Sequence, residues 1–114
     1  QLGDAVNGPP RALPGRDTEK ACQRIVADAA TMFGWKRYHT HRSDFSPAGF
    51  PDEFLVRPPR IVIAELKSAL AYRSKDHGCS PEQLHWLQLL RDCPGVEVHI
   101  WQAADAETIA ATLR

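Results

Sequence analysis

The chain has 114 residues, with 14 basic and 14 acidic side chains, so its formal net charge is zero. That length makes one domain with a single modest core, and the neutral balance argues against indiscriminate binding to nucleic acid. Three tryptophans and an apolar fraction of 43% indicate a folded globule, while no apolar run approaches the ~20 residues of a membrane span and none has the form of a signal peptide. Cys22, Cys79 and Cys93 are odd in number and lack zinc-finger spacing, which favours reduced thiols in a cytosolic setting. The charge is unevenly spread. Residues 35–77 carry eight Lys/Arg against five Asp/Glu, a local excess of +3 that the rest of the chain cancels.

In chain order, residues 1–17 hold Gly3, Gly8, Pro9, Pro10, Pro14 and Gly15 and read as a flexible lead-in, leaving residues 18–114 as the single domain. Thr18 can cap a helix in which Cys22, Ile25, Val26, Ala29 and Phe33 recur at helical spacing until Gly34 stops it. Residues 35–41 read as a first strand and residues 42–49 as a turn-rich stretch. Phe54, Leu55 and Val56 then run into Arg57-Pro58-Pro59-Arg60, and Ile61 to Ala64 run out of it, giving antiparallel strands two and three. In the third strand Ile61, Ile63, Glu65 and Lys67 share one face and Val62, Ala64 and Leu66 the other, the pattern of a central strand covered on both sides. Residues 68–79 form a long connection, a length that is often functional or mobile. A second helix spans about 80–93, with Leu84, Leu87 and Leu90 inward and Cys79 and Cys93 flanking it. Val96, Val98 and Ile100 alternate as a fourth strand, and residues 103–113 make a last helix packed through Ile109 and Leu113. Strands three and four, joined through a helix, are expected to be parallel in a right-handed unit. The expected class is α/β, a mixed four-stranded sheet flanked by helices with a short C-terminal helix.

The two-proline turn sets a register. If Arg57 pairs with Arg60, the ladder continues until Asp52 faces Glu65 on one side of the sheet, with Lys67 two positions on. Opposed residues have Cβ atoms about 5 Å apart, where like charges repel. Two acids so placed point to a bound cation or a shared proton.

Gly49-Phe50-Pro51-Asp52 followed by Glu65-Leu66-Lys67 resembles the signature of the PD-(D/E)XK nucleases, and most closely its virus-type replication-repair branch, the VRR-NUC domain. Glu19 matches that branch's acid on the first helix, and Gln83, in Ser80-Pro81-Glu82-Gln83, its glutamine opening the next helix. The four elements stand in order over about residues 18–113. The resemblance implies a restriction-endonuclease-like αβββαβ core and a Mg²⁺- or Mn²⁺-dependent endonuclease with Asp52, Glu65, Lys67, Gln83 and Glu19 as its catalytic set. It also implies action on branched DNA, such as junctions or flaps, and a homodimer, in the cytoplasm of a bacterial or phage-infected cell, or in the nucleus if the chain is a piece of a eukaryotic protein.

The chemistry of the residues agrees. Phosphodiester hydrolysis needs a nucleophilic water, charge stabilisation on the phosphate and help for the leaving oxygen, which a divalent cation held by carboxylates supplies. Mg²⁺ keeps several waters, so Asp52, Glu65 and one backbone carbonyl, that of Leu66, suffice as protein ligands, with Glu19 a further candidate. Lys67 can hold the attacking water or offset charge on the phosphate. Other readings compete. The acids and Lys67 could be a structural ion cluster. Glu19 is favoured at a helix start by the macrodipole alone. Ser80 and Gln83 form a capping box, which conflicts with a catalytic Gln83 if its side chain folds back on Ser80. His39, His41 and Arg42 are candidate phosphate contacts rather than zinc ligands, Arg73 and Lys75 on the long connection are candidate DNA-backbone contacts, and Trp86 and Trp101 read as core. The rivals to a nuclease are a catalytically silent DNA-binding module of the same fold and a metal-dependent hydrolase of small phosphates.

Overall fold

The computed structural model describes residues 18–41 and 47–114, so the expected lead-in lies outside the described residues. Helix α1 is Glu19–Met32, opened by Thr18, whose hydroxyl accepts the Ala21 amide at 3.0 Å. Its apolar stripe buries Cys22, Val26, Ala29 and Ala30. Gly34, at φ 78°, turns the chain into strand β1, Lys36–His39. This strand is shorter than the expected 35–41. Trp35 stays with the end of α1, its amide donating to the carbonyl of Ala30 at 2.9 Å, while its indole donates to the carbonyl of Leu113 at 2.8 Å.

Strands β2 (Glu53–Arg57) and β3 (Arg60–Leu66) flank Pro58-Pro59 and pair as the turn demands, Arg57 with Arg60 through Glu53 with Ala64. The connection after β3 is more ordered than a plain loop: it holds a one-turn helix α2, Ala69–Tyr72, and a tight turn, Lys75–Gly78. Helix α3, Pro81–Arg91, leads to β4, Val96–Trp101. A short 3₁₀ turn, Ala103–Asp105, takes the first residues expected of the last helix and precedes α4, Ala106–Leu113.

The sheet runs β1-β2-β3-β4 with β3 and β4 parallel and the other pairs antiparallel, the mixed sheet expected from the two-proline turn and the helical crossover. Alternation assigns its two faces. On one, Leu55, Val62, Ala64, Leu66 and Trp101 meet the stripe of α1 and Ile109 and Leu113 of α4 in the main core. Burying side chains of this size contributes about 1.5–3 kcal/mol each. The other face carries Ile63 and Glu65 and is covered by α3, where Leu87 is buried. Trp101 is core as expected; Trp86 is half-buried and meets Phe50 edge to face, with ring centres 5.0 Å apart.

The C-terminal end of α4 has carbonyls without helical partners. Besides the Trp35 bond to Leu113, Arg57 donates to Phe33 and Leu113 at 2.9 and 3.1 Å, and Arg60 to Thr112 at 2.9 Å. Both guanidiniums lie on the Trp35 ring, 4.7 and 4.9 Å from its centre, so the hairpin tip clamps α1 and α4 together.

Candidate active site

Asp52 precedes β2 by one residue, and the register of the hairpin carries it opposite Glu65 on the α3 face of the sheet. Its carboxylate Oδ2 accepts the Leu66 amide at 2.8 Å, taking the place of a ladder acceptor where the strands part. The backbone here is held from β1: the amide and hydroxyl of Thr40 donate to the carbonyls of Asp52 and Pro51, both at 2.8 Å. Gly49 has a physical reason to be glycine. At φ 88° a Cβ would stand 2.7–2.8 Å from the Glu82 and Gln83 backbone, so only a bare Cα lets this segment lie against the first turn of α3.

Glu65 and Lys67 extend from the end of β3 on the same face and are 2% and 7% exposed, a depth at which polar atoms need partners. Lys67 has them. Its ammonium donates to Gly78 O at 3.1 Å and Gln83 Oε1 at 3.0 Å, and lies 3.3 Å from Glu65 Oε2, one acceptor for each N–H. Gln83 resolves the conflict expected between capping and site roles by using both ends of its amide. Oε1 accepts the Ser80 amide at 2.8 Å together with Lys67, while Nε2 donates to Glu65 Oε2 at 2.8 Å. The Ser80 hydroxyl completes the capping box on the Gln83 amide, so the helix start itself aims the side chain.

Glu65 is left uneven. Oε2 takes both bonds, and Oε1 is buried with no partner. Burial, and next the charge of Asp52, push the carboxyl up to about 8 against the pull of Lys67. Two opposed carboxylates, one with a bare buried oxygen, make a place for a proton or a cation. Among the described residues no group of three or more His, Cys, Asp or Glu side chains is gathered to hold a metal, so a cation here would rest on Asp52, Glu65 and a backbone oxygen such as that of Leu66.

No family model, curated protein or solved structure matches the chain. The site therefore stands on its own residues. Glu19 is half-buried as the first residue of α1, which packs on the sheet face opposite Glu65, and it joins no three-acid group with Asp52 and Glu65. It bears, with Asp52, on Cys22, whose thiol is pushed up to about 12 by burial first and by these and other acids after it. Cys22 is inert core, and all three cysteines are free. Arg73, Lys75 and His41 are exposed, as a contact to a polyanion requires. Arg42 lies outside the described residues.

His39 is engaged elsewhere, with a residue the sequence pattern did not single out. Glu53 is fully buried on the α1 face of β2. Arg37 grips both of its oxygens, at 2.7 and 2.9 Å, and His39 Nδ1 lies 2.8 Å from Oε2. The available signal was the alternation of Arg37 and His39 on one strand, but pairing it with Glu53 needs the β1–β2 register, which no short turn sets.

The turn at Lys75–Gly78 is the most strained backbone in the described residues. Asp76 and His77 are both left-handed at φ 54°, and Gly78 follows at φ 76°. Non-glycine residues held this way cost of order 1–3 kcal/mol each.

Proposed function

We propose that the chain is a Mg²⁺- or Mn²⁺-dependent deoxyribonuclease of restriction-endonuclease-like fold, with Asp52, Glu65 and Lys67 at its centre. The observation that carries this reading is the bare, buried Oε1 of Glu65 on the same sheet face as Asp52, beside a lysine whose every proton is placed. Such an oxygen is costly to leave bare, because an unpaired buried carboxylate oxygen destabilises the fold, and it is completed either by a proton shared with Asp52 or by the cation proposed here. The donors are hard oxygens, and Asp52, Glu65 through Oε1 and the Leu66 carbonyl are the residues that would hold the cation. When bound, the cation supplies positive charge at the phosphate and eases loss of a proton from water.

The chain's own residues then divide the work. Lys67 places a positive charge beside Glu65, where it offsets charge growing on the phosphate in the transition state. Gln83 keeps Glu65 and Lys67 in fixed orientation through its two amide ends. Exposed Arg73 and Lys75 sit on the connection that leads from Lys67 to Gln83 and suit a polymeric phosphate better than a small one. The order of Glu19, Gly49 to Asp52, Glu65 to Lys67 and Gln83 along the chain adds the resemblance to VRR-NUC domains, and with it branched DNA as the substrate to try first. The test is incubation with labelled junction, flap, nicked and linear DNAs, with and without Mn²⁺. Metal-dependent cutting of at least one is expected, and no cutting of any with either metal would contradict the reading.

A further inference from the structure

The connection between β3 and α3 does more than cross the sheet edge. Gly78 ends the left-handed turn, and its carbonyl is one of the three acceptors of Lys67. The turn is braced from α2. The His77 ring stacks on Tyr72, with centres 4.0 Å apart and planes 21° from parallel, and its Nδ1 donates to the Tyr72 carbonyl at 2.8 Å. The Ser74 hydroxyl donates to Ala71 O at 2.6 Å, and a Cβ on Gly78 would stand 2.9 Å from the Ala71 side chain and carbonyl. A left-handed histidine that faces solvent is not held so firmly for packing, since His77 is exposed. What the strain delivers is the direction of one carbonyl.

We propose that His77 is a positioning residue for Lys67: it latches the Lys75–Gly78 turn onto Tyr72 so that the Gly78 carbonyl holds the Lys67 ammonium beside Glu65. Without the latch nothing fixes the turn in left-handed backbone, and that carbonyl is free to swing away. Lys67 then keeps two acceptors, both on side chains, and its head gains freedom. The consequence for catalysis rests on the nuclease reading; the hydrogen bond itself does not.

The experiment follows the lysine ammonium by NMR in protein labelled with ¹⁵N-lysine, which has only Lys20, Lys36, Lys67 and Lys75 to distinguish. A buried, fully bonded ammonium exchanges slowly, so wild type gives one protected signal, assigned by its absence in Lys67→Arg. His77→Gly accepts the left-handed backbone without strain, so the variant folds while losing the ring and the donor. The protected signal is then lost or shifted, and on a cleaved DNA kcat falls about tenfold with KM unchanged. His77→Asn, at home in left-handed backbone and still a donor, keeps the signal. No protected signal in wild type, an unchanged signal in His77→Gly, or equal loss in both variants overturns the latch, whether or not the protein cuts DNA. A rise in KM with kcat unchanged also overturns it and makes His77 a DNA contact. The expected NMR pattern in a protein that cuts nothing leaves the latch standing and removes the nuclease.

Discussion

Two buried glutamates sit on opposite faces of the same sheet, and each has a basic partner. Glu53, toward α1, has both oxygens bonded, by Arg37 and His39. Glu65, toward α3, has Lys67 and Gln83 on one oxygen and nothing on the other, and its carboxyl is pushed up to about 8. The first arrangement is complete, as a structural ion pair must be to survive burial. The second is complete only with something added. Burial of a charge does not by itself mark a function; the proposed metal site rests on the unmet bonding capacity of Glu65 beside a second acid.

The contrast is broken most forcefully by removing the acids. Asp52→Ala or Glu65→Ala should lower cleavage by at least about a thousandfold while the domain stays folded, since loss of such a ligand removes most of the electrostatic stabilisation. Single-turnover cleavage with a parallel melting curve checks both halves, and wild-type turnover in either variant removes that residue from the mechanism. The other face should behave inversely. Arg37→Ala leaves buried Glu53 with His39 alone and Oε1 bare, and should destabilise by about 3 kcal/mol, with cleavage by the folded fraction nearly unchanged. Urea unfolding measures it, and a loss below about 1 kcal/mol would mean that Glu53 is not held as described.

The hairpin half of this contrast was legible in the sequence because Pro58-Pro59 leaves the flanking strands one register, and strand alternation does the rest. The starts of α1 and α3 were legible for a similar local reason, their capping residues Thr18 and Ser80, whereas α3 ends at Arg91, two residues short of the expected end. Glu53 was not, because β1 and β2 are joined by a long stretch that constrains no register. Nor was the left-handed turn, since Asp76 and His77 are not glycines and no local pattern signals the ring stack and Nδ1 hydrogen bond by which His77 is held on Tyr72. The double use of Gln83 was not legible, because the capping pattern calls only on its amide oxygen; its amide nitrogen is free to donate to Glu65.

A gentler test uses pH. Because the folded carboxyl of Glu65 is raised from 4.5 to about 8, the metal-free native state keeps a proton that the unfolded chain has released. Its contribution is fully present below the unfolded value and is lost as pH rises through about 8. His99, lowered by burial from 6.5, acts in the opposite sense only at more acid pH. Metal-free stability should therefore decline between about pH 6.5 and 8, and Glu65→Gln, neutral throughout, should flatten the decline. An equal slope in both proteins would place the titration elsewhere.

The smallest effects separate the remaining two residues. Gln83→Glu keeps the capping acceptor but loses the donor to Glu65 and adds a charge beside it, so the rate should fall while melting changes by only a few degrees. Glu19→Gln removes charge and keeps shape. As a helix-dipole partner it costs at most about 1 kcal/mol and little activity, whereas a role at the metal would lower the rate by orders of magnitude with a dependence on Mn²⁺ concentration. Unchanged rates in both variants would confine the site to Asp52, Glu65 and Lys67.

Melting with Mn²⁺ tests the site directly, without any assumption about the DNA. A ligand bound only by the native state stabilises by about 2.7 kcal/mol at a hundredfold excess over Kd. Near pH 8, where the Glu65 proton leaves readily, wild type and Arg37→Ala should both rise in melting temperature with Mn²⁺, and Asp52→Ala should not. An equal rise in all three, or none in wild type, would contradict the assignment of Asp52 and Glu65 as a metal site.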